Sequence, residues 1–316
     1  MNEKAKQQGA ASLLDTKETT AYQKNAENEP EFGEKLTETS AKHATTWTEK
    51  KTEGQRLGGL LKTAVKSGIY GEEVLRCATQ LALEKSGNEA RARPFTTCKR
   101  RWCPVCEWRK SRKRLGAAIT NLPKLVDLKK VRFRFLTLTV KNVKAEDLAT
   151  TVSEMLKAFR KLTHHKTVIS SDWLGFIRAL EITAGKDGLF HPHLHVLHVV
   201  LKNSKPHPTT EWVAAWRKAA VLDYDPICDI RAVKDGARGL AEVMKYTTKP
   251  TNIGSDAVAL AVAVAALKGR RLQQAGGILS SVFEEEEGEP DDQKWGIAGV
   301  FWWRAIEQTF RRKNQI

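Results

Sequence analysis

Residues 190–200 read Phe-His-Pro-His-Leu-His-Val-Leu-His-Val-Val, and this alternation of imidazole with apolar side chains constrains the chain more than any other feature. Alternate side chains of a β-strand share a face, so His191, His193 and His195 point the same way, spaced by about 7 Å per two residues. His198 has the opposite parity and belongs to the other face. Two neighbouring imidazoles can grip one ion. The plainer alternative is a polar strand face whose histidines meet only backbone carbonyls. Three of the chain's eight histidines on alternating positions of an otherwise apolar strand favour the metal. Glu181, in Arg-Ala-Leu-Glu-Ile-Thr on the preceding strand, offers a carboxylate oxygen as a third ligand; its competing role is an ion pair with Arg178 or a lysine. A two-histidine, one-carboxylate set with open positions suits Mn2+ or Mg2+ and leaves room for a substrate oxygen.

The flanking pattern supplies the scaffold. Residues 131–143 read as a strand buried on both faces, 146–163 as an amphipathic helix, and 176–183 and 193–200 as two further strands. A helix carrying Trp212 and Trp216, a short strand at 227–233, a helix at 239–247 stopped by Pro250, and a buried helix at 257–267 follow. The order β-α-β-β-α-β-α predicts an α+β domain: a largely antiparallel sheet with helices packed on one face.

Upstream, Cys98-x4-Cys103-x2-Cys106, with Cys77 before it, places four of five cysteines within thirty residues. Cys-Pro-x-Cys turns tightly enough to present two thiolates to one Zn2+, and four cysteines complete a closed, structural site. Free buried thiols are the alternative. Around them, Lys99 to Arg114 holds eight Lys or Arg against Glu107 alone. Arg100, Arg101, Arg109, Lys110, Arg112, Lys113 and Arg114, with Trp102 among them, suit phosphate neutralisation and base stacking. A net charge of +16 points the same way, towards a polyanion. No stretch reaches the roughly 18 apolar residues that span a bilayer, and the N-terminus lacks a secretory layout, so a reducing cytoplasm is expected.

Four divisions follow: a disordered polar tail (1–65), a cysteine-rich basic zinc-binding module (66–115) that opens with a helix carrying Val74, Leu75, Ala78, Leu81 and Leu83, the main domain (116–280), and an acidic linker leading to a Trp-rich segment, 295–310, read as an amphipathic helix (281–316). One further pattern, Glu242-Val-Met-Lys-Tyr246-Thr-Thr-Lys249, sets Glu242 and Tyr246 one helical turn apart.

Taken in order, Phe-Leu-Thr-Leu-Thr-Val, Leu-Glu-Ile-Thr, His-Pro-His-Leu-His and Glu-Val-Met-Lys-Tyr-Thr-Thr-Lys resemble the plasmid rolling-circle replication initiators with a single catalytic tyrosine, of the HUH endonuclease class. The resemblance covers about residues 74–279. It implies that His193 and His195 bind the catalytic metal, with His191 and Glu181 as further candidates, that Tyr246 is the nucleophile and that Glu242 activates water in the terminating cleavage. Lys249 is a candidate for activating the phenol. The implied partners are a plasmid replication origin, single-stranded or as a hairpin, and a host helicase and polymerase. A zinc-stabilised DNA-binding regulator without catalysis, and an HUH transposase or relaxase, are the rival readings.

Overall fold

The computed structural model describes residues 32–65, 68–164, 173–233, 239–242, 253, 256–284 and 295–313. Contacts divide the chain into two compact units: residues 46–79 with 96–294, and the two ends with 80–95.

The larger unit is built on a five-stranded antiparallel sheet. Its strands are β4 (Val131–Thr139), β5 (Gly175–Ala184), β6 (Phe190–Leu201), β7 (Cys228–Val233) and β8 (Gln273–Gly277), in the order β7-β4-β6-β5-β8. The register places Phe135, Leu197 and Ile177 in one row, and Thr137, His195 and Ala179 in the next. Thr139, His193 and Glu181 form the row after that. Directly opposed residues of an antiparallel pair share a face, so the apolar rows run straight into the histidine rows.

Helices cover both faces. Helix α3 (Pro104–Leu125) lays Ala118 and Leu122 against Phe133, Phe135, Ile177, Leu197 and Val199, beneath the histidine rows. Helix α4 (Leu148–His164) and α5 (Thr209–Ala220) take the opposite face, where Phe159 meets Phe176 edge-on at 5.0 Å and His198 lies between Trp173 and Trp212. The expectation of helices on one face is thereby corrected. β6 is nearly all apolar on both sides at its C-terminal half, which calls for a cover on each. Helix α6 (Ala257–Ala266) packs on α4, and Trp216 donates from Nε1 to the carbonyl of Thr139 at 2.8 Å, pinning the end of β4 beside His193.

Two N-terminal helices complete this unit: α1 (Ala44–Ala64) and α2 (Ile69–Arg76). The expected disordered tail therefore holds a 21-residue helix, as well as a strand, β1 (Phe32–Lys35). Its buried stripe is Ala44, Trp47, Lys51, Gly54, Leu57, Gly58 and Leu61, helical in spacing but too poor in large apolar residues to be recognised by composition. Glycine serves close packing there: a Cβ on Gly71 would meet the backbone of Lys62 and Gly58. The division at residue 115 also fails, because α3 runs through it.

The smaller unit is a second antiparallel sheet, β1-β10-β9-β2-β3, with β2 Gln80–Ser86, β3 Glu89–Pro94, β9 Gly296–Arg304 and β10 Thr309–Lys313. Leu81 and Leu83 thus lie in a strand, since the helix expected to contain them stops at Arg76. The Trp-rich segment expected as a helix is the β9–β10 hairpin. Phe301 and Phe310, both fully buried, face the same side as Leu81 and Leu83, an alternation that only pairing with β2 satisfies. Among the described residues no helix is long and apolar enough to cross a membrane.

Candidate metal centres

Glu181, His193 and His195 converge at the end of the central sheet. Nε2 of His193 lies 2.7 Å, and Nε2 of His195 2.9 Å, from the same Glu181 oxygen, Oε2. The carboxylate and His195 are buried, and His193 is half-buried. The other ring nitrogens are held in turn: Nδ1 of His193 is 3.1 Å from the carbonyl of His191, and Nδ1 of His195 is 3.4 Å from Oγ1 of Thr137. A carbonyl only accepts, so the His193 proton sits on Nδ1, leaving a bare lone pair on Nε2 in the neutral ring. Two lone pairs cannot face each other at 2.7 Å without a proton or a cation between them. Burial pushes the Glu181 carboxyl up, but the two imidazoles more than offset this and hold it at about 2. Burial also lowers His195, against the pull of Glu181. An anionic oxygen with two imidazole nitrogens, all within 4.8 Å, is the donor set of a divalent site with open positions, and Mn2+ or Mg2+ fits it.

Arg178, the rival partner of Glu181, sits on the opposite face, buried, donating to Oε1 of Gln274 at 2.8 Å beneath the Phe159 ring. The side chain of His191 stands outside the converging triplet; its carbonyl orients His193 instead. Glu242, in the helical stretch 239–242, is ion-paired with Arg231. Arg231 shares a row with Phe135 and lies 5.0 Å from its ring, which in turn is 5.9 Å from His195. Glu242 is thus on the metal side of the sheet, close enough to favour the charged form of His195. Tyr246 and Lys249 lie outside the described residues.

The cysteines meet elsewhere. Cys77 ends α2, Cys98 follows β3, Cys103 caps α3 and Cys106 sits in its first turn, where Pro104 opens the helix. Their sulfurs lie within 4.8 Å of one another, with Cys106 3.5 Å from Cys77 and 3.7 Å from Cys98. Tetrahedral zinc with Zn–S near 2.3 Å requires S–S distances of about 3.8 Å, so the four positions fit Zn2+. Hydrogen bonds among the thiols split their titration: Cys106 and Cys77 are held low, chiefly by Cys103, and Cys103 is pushed up, chiefly by Cys106. Four such groups can all ionise only with a cation among them. Cys228 is buried outside the cluster.

Two contributors escaped sequence reasoning. Lys51 of α1 is fully buried and donates from Nζ to the carbonyls of Leu75 (2.7 Å) and Cys77 (2.6 Å), tying α1 to the cysteine cluster. Burial pushes its ammonium down to about 8. Arg231, the partner of Glu242, carried no motif signal; only the β4–β7 register shows where it goes.

The basic segment divides by role. Arg100 pairs with Glu73 (Nη2–Oε1 2.8 Å) and covers Tyr70, whose Oη accepts the backbone N–H of Trp102 at 3.3 Å. Arg101 donates to the carbonyls of Leu267 and Arg270. Along α3, Arg109, Arg112 and Lys113 are exposed on one side, while Lys110 and Arg114 turn to another, Arg114 donating to Oε1 of Gln273 at 2.8 Å.

Comparison with known proteins places this architecture. The chain matches a Protein rep of Bacillus sp at 40% identity over 198 residues, covering 59% of this chain and 62% of the relative. It matches a Protein rep of Bacillus amyloliquefaciens at 35% identity, covering 71% and 76%, and one of Lactiplantibacillus plantarum at 33%, covering 76% and 81%. No solved structure matches. The Replication protein family, Rep_1, matches residues 89–300, two thirds of the chain including the metal triplet and Glu242, and the chain therefore belongs to that family, in agreement with its resemblance to plasmid replication initiators.

Proposed function

We propose that the protein starts plasmid rolling-circle replication by nicking one DNA strand at the origin, using Tyr246 as nucleophile and Glu181, His193 and His195 as holders of a Mn2+ or Mg2+ ion. The observation that carries this reading is the single Glu181 oxygen within 2.9 Å of both imidazole nitrogens. The ion, when bound, supplies charge neutralisation at a non-bridging oxygen of the scissile phosphate.

The remaining chemistry belongs to side chains. Tyr246 Oη attacks phosphorus in line, the P–O3′ bond breaks, and the products are a 5′-phosphotyrosine and a free 3′ hydroxyl. The phenol proton passes to a base or solvent, and the 3′ oxygen takes up another, so charge balances without ATP. A free phenol titrates near 10, and Lys249 is the candidate that favours its ionised form. The 3′ hydroxyl primes a host polymerase, and a host helicase opens the duplex ahead. In the terminating cut, Glu242 accepts a proton from water; its ion pair with Arg231 holds the carboxylate in place. Cys77, Cys98, Cys103 and Cys106 would hold Zn2+ where the end of α2, the loop after β3 and the start of α3 meet, and Arg109, Arg112 and Lys113 face the DNA.

Incubating the purified protein with single-stranded origin DNA and Mn2+ should give an SDS-resistant protein–DNA adduct that Tyr246→Phe abolishes. An adduct with Tyr246→Phe would remove Tyr246 from the role. Glu242→Ala should preserve the first nick and impair termination.

A further inference from the structure

Beside the metal centre, on the same face of the sheet, is a small cavity lined by Arg101, Glu107, Lys110, Ser111, Arg114 and Arg271, with Gln273 at its floor. Four cations meet one carboxylate there, a net +3 if Glu107 is ionised, around about 80 Å3. That volume is on the order of three waters at about 30 Å3 each, the bulk of one tetrahedral phosphate group. Like charges this close repel, and the half-buried Arg101 and Arg114 are less screened by solvent than the exposed Lys110 and Arg271. Such a cluster is stable when an anion joins it.

The groups are also held in place. Arg101 is anchored by the carbonyls of Leu267 and Arg270, and Arg114 by Oε1 of Gln273. Each guanidinium is half-buried and oriented before any ligand arrives, so little side-chain freedom remains to be lost. Burial pushes the Glu107 carboxyl up, easing the approach of an anion. Ser111 adds a neutral donor. None of this is needed for the fold alone, since a hydrophobic pair would join α3 to β8 more cheaply.

Position gives the ligand. Gln273, Ala179 and His195 stand in one row across β8, β5 and β6. Gln273, which lines the cavity, is therefore two strand spacings, about 10 Å, from His195. Along stacked DNA this is about three nucleotide steps of 3.4 Å, and fewer along an extended strand.

We infer that this cavity is a subsite for a backbone phosphate of the DNA strand being cut, a few nucleotides from the scissile phosphate, and that it sets how that strand lies across the metal centre. The placement relative to the cut rests on the nicking reading above; the phosphate chemistry does not.

The test uses the full-length protein and fluorescein-labelled dT20, a strand with no origin sequence, titrated by anisotropy at several NaCl concentrations without added divalent ion. Lys110→Gln/Arg271→Gln removes two exposed cavity charges. Lys129→Gln/Lys130→Gln removes two charges from a turn at the far end of β4. Thermal melting confirms that both variants fold. The cavity variant should lower the magnitude of the log K against log[NaCl] slope by about 0.7, the share of one single-strand phosphate, and the turn variant should leave it unchanged. An unchanged slope in the cavity variant, or an equal loss in both, overturns the inference. The adduct assay is separate: loss of slope without any adduct would sustain the phosphate subsite and sink the nicking reading.

Discussion

Glu181, His193 and His195 reach one point from two adjacent antiparallel strands, whereas Cys77, Cys98, Cys103 and Cys106 come from a helix end, a loop and the first turn of α3. The first cluster is mounted on a sheet whose core exists without it: Phe135, Ile177 and Leu197 are buried one row away. The second joins a helix end, a loop and a helix start, and α1 is tied to it by the Lys51 ammonium on two carbonyls, by Gln55 on the carbonyl of Leu75 and by Trp47 edge-on against Trp108. One cluster is carried by the fold; the other, on the proposed zinc reading, would help make it. The difference teaches where each metal would act: three donors suit chemistry, and four closed donors suit stability.

The sharpest way to break this contrast is Cys103→Ser. Structural zinc in small sites is worth about 10–16 kcal/mol, comparable to a whole domain's stability. Zinc measured by elemental analysis should fall well below one per chain, and the melting transition should drop or vanish; full zinc content with unchanged melting would end the structural assignment. Glu181→Ala should do the opposite. Nicking should fall about 10^3-fold, on the order of 4 kcal/mol in the barrier, while zinc content and melting hold, and a collapse of the fold would show that the carboxylate is structural after all.

A third test compares the two faces of β6. His198 is wholly buried between Trp173 and Trp212, and neither ring nitrogen finds a partner among the described residues. Burial, with the charges of Arg134 and His207, lowers it to about 3. The unfolded state binds a proton near 6.5 that the folded state refuses, so stability falls as pH drops from about 6.5 to about 3, by about 1.4 kcal/mol per unit for this one group. Urea melts of His198→Phe across that window should show a shallower acid loss than the parent. The smallest effect is expected from Thr137→Val, which removes the oxygen beside Nδ1 of His195: calorimetry should find Mn2+ affinity weakened about 10-fold with zinc unaffected.

Much of the metal triplet was legible because its logic is local. Alternation on β6 put His193 and His195 on one face, and the β5–β6 register then set Glu181 opposite His193. The four cysteines were legible from spacing and a Pro turn. Helix α1 was not, because its buried stripe mixes Ala, Trp and two Leu with Lys51 and two Gly, too few large apolar residues to stand out from the polar segment around it. Nor was the β9–β10 hairpin, since aromatic residues at 301, 303 and 310 satisfy a helical and a strand pattern about equally until β2 arrives to pair. The basic segment was seen as one surface, and the fold divides it into an ion pair with Glu73, an anchored cavity wall and an exposed helix side.

By itself the sequence determined the elements that rest on short-range periodicity: the histidine strand and its parity, the α+β order of the central domain, the cysteine grouping, and the ordered motifs that placed the chain among replication initiators. Tertiary structure alone decided which partner Glu181 takes, that His191 contributes its carbonyl, that Arg231 holds Glu242, and that Arg101, Arg114 and Arg271 meet beside the metal row. Parity and spacing are properties of one segment's backbone geometry, whereas each of these later choices depends on the register between segments tens to hundreds of residues apart, which no single stretch of sequence encodes.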